Sequence, residues 1–78
     1  MLKSVENLIH AVNNGRKSAK FGNHSMEQTD KKIYFYYHGN CVCEVDKITG
    51  KVVYDFCGYE GYSSTTRTIN SYKIVYGI

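Results

Sequence analysis

Residues 32–57 read KIYFYYHGNCVCEVDKITGKVVYDFC, and this stretch decides the fold. Ile33 to His38 is rich in aromatics and alternates in direction, as a strand requires. Gly39-Asn40 is a two-residue hairpin signal, because Gly accepts the positive φ of a type II′ corner. That corner pairs His38 with Cys41, Tyr36 with Cys43 and Tyr34 with Val45. The second corner is the run from Asp46 to Lys51. There the Asp46 carboxylate can accept backbone N–H groups two or three residues on, and Gly50 can take the left-handed position. Closing it pairs Val45 with Val52, Cys43 with Tyr54 and Cys41 with Phe56.

Directly opposed residues share a face of the sheet. One face then carries Tyr34, Tyr36, His38, Cys41, Cys43, Val45, Val52, Tyr54 and Phe56. The other carries Ile33, Phe35, Tyr37, Val42, Glu44, Asp46, Lys51, Val53, Asp55 and Cys57. Every charge falls in the second set, so the first set is the expected core. A one-residue slip at either corner would bury Glu44 or Asp55 without a partner. The outward set leaves an apolar strip of Ile33, Phe35 and Tyr37 edged by Glu44 and Asp55. If no helix covers it, that strip is a partner-binding surface, since aromatics rimmed by charge are typical of protein interfaces.

A chain of 78 residues forms one domain, residues 1–78. At this length only roughly 60% of the unfolded surface is buried, so the core is thin and dimerisation would add to it. Eight Tyr and no Trp supply the aromatic area, and each Tyr hydroxyl needs water or a partner. A net charge of +3 permits nucleic-acid binding without requiring it. Three cysteines are an odd number and no secretory signal precedes them, so free thiols in a reducing cytoplasm are expected. The apolar runs are too short to cross a membrane.

Before the central stretch, Leu2, Val5, Leu8, Ile9 and Val12 recur at helical spacing, and Gly15 stops the helix predicted over residues 1–14. His10 falls on the wet side. Ser18 to His24 suits a short edge strand with Phe21 inward, and Ser25 to Asp30 is polar loop. Arg16, Lys17, Lys20, Lys31 and Lys32 form a basic set that would suit phosphate or an acidic partner. After the central stretch, Ser64-Thr65-Thr66 offers hydroxyls to cap a helix running to Tyr76, with Ile69 and Tyr72 on one side. Tyr72, Ile74, Tyr76 and Ile78 also alternate as a strand would.

Catalytic and metal chemistry find little support. His38, Cys41, Cys43 and Cys57 are the only zinc-compatible set. A C-x-C pair in a regular strand holds its thiols about 6.5–7 Å apart with no knuckle to wrap an ion, and Cys57 is expected on the opposite face. His38 beside Cys41 is the one thiol–base pair, and it is expected inside, where thiols are inert. No phosphate loop or nucleophile elbow is present. The expectation is a protein that is not an enzyme and carries no metal or cofactor.

Lys17-Ser18-Ala19-Lys20-Phe21-Gly22-Asn23, then Tyr34-Phe35-Tyr36, then Tyr62-Ser63-Ser64-Thr65-Thr66-Arg67 with Ile69-Asn70, resembles in order a family of short phage and prophage proteins of unknown function. The resemblance spans about residues 17 to 72, and the Cys41-x-Cys43 strand departs from it. It implies a shared fold. It also implies a role as a phage inhibitor of a bacterial defence or host complex, in the manner of anti-CRISPR proteins.

The sequence therefore predicts an α+β domain: an N-terminal helix, an antiparallel meander of three to four strands, and a C-terminal helix. The expected function is non-enzymatic binding of a protein partner through Ile33, Phe35, Tyr37, Glu44 and Asp55. The alternative is a nucleic-acid accessory protein using the basic set.

Overall fold

The structure, a computed structural model, describes residues 1–77. Helix α1 spans Lys3–Asn13 and helix α2 spans Ser63–Tyr76. Between them lie β1 (Ser18–Phe21), β2 (His24–Gln28), β3 (Lys32–Tyr37), β4 (Asn40–Asp46) and β5 (Val52–Tyr54). The strands form one antiparallel sheet in sequence order, so the domain is an α+β meander. Its five strands exceed the three to four expected, because residues 24–28 form a strand and not a polar loop.

α1 ends as its sequence requires. Gly15 takes φ 77°, its N–H reaches the Val12 carbonyl, and the Arg16 N–H reaches that of Ala11. These two bonds are the Schellman arrangement that satisfies a helix's last carbonyls. Val5, Leu8 and Ala11 are buried, with Leu2, Ile9 and Val12 packed beside them. The Gln28 side-chain amide donates to the carbonyls of Val12 and Arg16, tying β2 to the end of this helix.

The second corner forms as expected. The Asp46 carboxylate accepts the Ile48 and Thr49 N–H groups at 2.8 and 3.0 Å, and Gly50 sits at φ 78°. Val45 faces Val52 and Cys43 faces Tyr54.

The first corner differs. His38 and Gly39, at φ 51° and 81°, occupy its centre, and Tyr37 faces Asn40. Two successive positive φ angles make a type I′ turn, whose twist suits the flanking strands. This shift alone would have kept the expected faces, since Tyr36 still opposes a cysteine, Cys41. The next pair is Phe35 with Cys43, which leaves Val42 as an extra, bulged residue. The bulge reverses the phase of the rest of β3. Ile33 and Phe35 are therefore 5% and 0% exposed in the core, and Tyr34 and Tyr36 face outward.

The physical reason lies in two demands that a regular hairpin could not meet together. Ile33 and Phe35 carry no polar atom, whereas burying Tyr34 and Tyr36 would strand two hydroxyls. Glu44 must stay wet, so Cys43 and Val45 must face in. One extra residue in β4 satisfies both, and Val42 and Cys43 are consequently both buried.

Both helices pack on the inner face. Phe35 lies against Tyr72 of α2 with ring centroids 4.4 Å apart, and Val5, Leu8, Met26, Val42 and Ile69 share the same core. The expected hydroxyl cap of α2 is absent among the described residues: Tyr62 is the N-cap and no side chain bonds to the helix start. Thr66, Thr68 and Ser71 instead bond back to carbonyls four residues earlier. Over residues 72–76 the chain is helical and not the alternative strand; Ile78 lies outside the described residues.

Candidate functional site

Among the described residues no helix covers the outer face of the sheet, and its content follows from the ladder pairs. One row runs Ser18, Glu27, Tyr34, Glu44, Val53 across all five strands. A second runs Lys20, Ser25, Tyr36, Cys41. Tyr34 and Tyr36 are half-buried and adjacent on β3, the central strand, and Val53 is 47% exposed. Lys32 bridges Glu44 at 2.9 Å, which holds the ammonium pKa above its ordinary value. Burial and the nearby Glu27 carboxylate raise the Tyr36 hydroxyl.

This placement corrects the expected partner-binding set. Ile33 and Phe35 are core residues, because the Val42 bulge turns them inward. Tyr37 also faces inward, at the end of the sheet, where it stacks on His24 with centroids 4.7 Å apart. Glu44 and Asp55 keep their outward position and flank a shallow groove with Cys41 and Val53. The outward aromatics are Tyr34 and Tyr36. A signal for them was present: of two alternating sets on one strand, the set with hydroxyls tolerates water.

The basic residues divide. Lys20 and Lys32 lie on the outer face. Arg16, Lys17 and Lys31 lie at the end of the sheet where α1 finishes and β2 turns into β3. Lys47 joins them there: its ammonium donates to the Thr29 carbonyl at 2.8 Å, and its backbone N–H donates to Lys31. In a meander alternate turns fall at the same end, so Lys47 was legible from the topology.

At the opposite end a cavity of about 250 Å³ opens between the His38-Gly39 corner, the loop after β5 and the first turn of α2. Tyr37, Phe56, Tyr59 and Tyr62 supply its aromatic walls. Two successive turns shape the loop, with the Tyr59 N–H on the Phe56 carbonyl and the Tyr62 N–H on that of Tyr59. Sequence reasoning missed this site, because its walls come from segments about twenty residues apart whose meeting depends on where α2 begins.

The thiols are also rearranged. The bulge sends Cys41 outward and Cys43 inward, so the C-x-C pair does not share a face. The Cys57 thiol, expected on the opposite side from Cys41, donates to the Cys41 carbonyl at 3.2 Å. Burial pushes the Cys43 thiol up to about 12 and raises Cys41 as well. Among the described residues no three of His, Cys, Asp and Glu converge as metal ligands would, and no helix is long and apolar enough to cross a membrane.

No family model, curated protein or solved structure matches the chain.

Proposed function

We propose that this chain is a non-enzymatic binding protein that occupies a surface of a protein partner with the open face of its sheet. The observation that carries this reading is the outward pair Tyr34 and Tyr36 on the central strand. Tyr at such a position offers large contact area with little entropy to lose, and a mixed-charge rim gives orientation. Here the rim is Lys20 and Lys32 against Glu27, Glu44 and Asp55. Three carboxylates beside the aromatics oppose a phosphate backbone on this face. The motif order that resembles short phage proteins favours one particular partner class, a bacterial defence or host complex inhibited in the host cytoplasm as anti-CRISPR proteins do.

The test is co-purification from bacterial lysate with the wild-type chain and with Tyr34→Ala/Tyr36→Ala. A partner retained by the first and lost by the second, insensitive to nuclease, supports the reading. A partner retained equally by both ends it.

A second reading is a nucleic-acid accessory role, favoured by the gathering of Lys47 with Arg16, Lys17 and Lys31 at one end of the sheet. It predicts low-salt gel-shift activity that weakens with rising salt and with Lys17→Glu/Lys47→Glu, since phosphate contacts release counterions.

A further inference from the structure

The end cavity lies away from the outer face and has a different chemistry. Its walls are aromatic, and none of its lining residues carries a carboxylate, ammonium or guanidinium. Its polar groups converge from three elements: His38 from the corner, Asn40 from β4, Ser64 and Thr65 from α2. Thr65 is only 4% exposed and lines the cavity with its neighbour Ser64. The neighbouring hydroxyls of Thr66 and Thr68 are both bonded back into the helix. The N–H groups of Ser63, Ser64 and Thr65 also precede the first intrahelical bond, which Thr66 makes to Tyr62.

A site of this kind suits a ring that stacks on its faces and hydrogen-bonds along its edge. A lining without carboxylate, ammonium or guanidinium disfavours an ionic group inside. A wholly apolar ligand would leave the Asn40 amide and the Thr65 hydroxyl unpaired, which costs binding. A phenol or indole side chain presents one polar atom, whereas the cavity presents several donors and acceptors from different directions. The volume of about 250 Å³ accepts one planar heterocycle.

We propose that this cavity binds a single nucleobase, stacked against the Tyr59 and Tyr62 rings and held by Asn40, Thr65 and the first N–H groups of α2. Tyr59 and Tyr62 already meet edge to face at 5.5 Å, which leaves ring area for a third aromatic. The base comes from a free nucleoside or nucleotide, or from a flexible single strand. The proposal stands independently of the outer-face reading, since none of Tyr34, Tyr36 or Val53 lines the cavity.

The experiment is titration of isotope-labelled protein, followed by amide chemical shifts, with each common nucleoside, each nucleoside monophosphate, a short single-stranded oligonucleotide, inorganic phosphate and indole. The expected result is saturable shifts for nucleosides at the amides of His38, Asn40, Tyr59, Tyr62, Ser64 and Thr65. Tyr62→Ala changes a residue that is 60% exposed, so the fold is retained and affinity falls about tenfold or more. Thr65→Val keeps the shape and weakens binding through the lost hydroxyl alone. An oligonucleotide that binds tighter than its monomers identifies a strand as the source, and equal affinity identifies the free ligand. Shifts with phosphate alone, tighter binding of indole than of any base, unchanged affinity in Tyr62→Ala, or no shifts at millimolar nucleoside would each overturn the proposal.

Discussion

Phe35 stands opposite Cys43 in the β3–β4 ladder, with the bulged Val42 between that pair and the next. This one pairing decides which half of β3 is core. It places the Phe35 ring on Tyr72 and leaves Tyr34 and Tyr36 half-buried on the outer face.

Phe35→Ala should therefore cost about 3–5 kcal/mol, the range for deleting a buried aromatic ring. In a domain this small that is most of the stability. Tyr34→Ala should cost about 1 kcal/mol or less, since its ring lies on an open face. Urea unfolding of the two variants measures the contrast, and equal costs would contradict the inverted register.

His38 occupies a left-handed conformation that suits Asn or Gly better. His38→Asn creates an Asn-Gly type I′ corner and should stabilise the domain by roughly 0.5–1 kcal/mol. Thermal melts of the two proteins report it. A loss of stability would mean that the imidazole contact with Tyr37, at 4.3 Å between centroids, outweighs the backbone preference.

Burial raises the Cys43 thiol and the Tyr76 hydroxyl each to about 12, and raises the Tyr72 hydroxyl further. The unfolded chain gives up these protons at lower pH than the folded one. Their contribution is thus complete below the ordinary thiol pKa and is lost as pH climbs from about 9 toward 12, each group adding a slope of about 1.4 kcal/mol per unit. Stability measured between pH 8 and pH 11 should fall steadily. The same burial should make Cys43 react with a thiol alkylator more slowly than the half-buried Cys41 and Cys57, which mass spectrometry of the native protein would show.

The Asp46 carboxylate has its pKa lowered, first by the Thr49 N–H and then by that of Ile48. A depressed carboxylate stabilises the fold above its unfolded value, and that stabilisation fades as pH drops through the folded one. The window lies below about pH 4. Asp46→Asn keeps an acceptor for the turn and should flatten acid unfolding in this window, whereas Asp46→Ala should weaken the domain at neutral pH as well. Acid titrations followed by circular dichroism separate the three proteins.

Much of the fold was legible locally. The stripe through Val5 and Leu8, the Gly15 stop and the Asp46–Gly50 corner each depend on residues within a few positions of one another, so spacing alone specifies them. β2 was missed because Ser25, Glu27 and Gln28 are polar; they form a strand since Met26 packs inward and Gln28 caps the end of α1. The outward aromatics were misassigned because a bulge has no signature in alternation. It appears only as two buried neighbours, Val42 and Cys43, once both sheet partners are in place.

By itself the sequence determined that a helix leads into an antiparallel meander, because periodicity and turn chemistry act over short range; it left the last segment between helix and strand. Only the tertiary structure decided which of Phe35 and Tyr36 enters the core, that Lys47 joins Arg16 and Lys17, and that Tyr59, Tyr62 and Thr65 enclose a cavity. Those outcomes depend on the summed burial of residues far apart in the chain, and on β3 that sum favours hiding Ile33 and Phe35 over Tyr34 and Tyr36 at the cost of one irregular residue in β4.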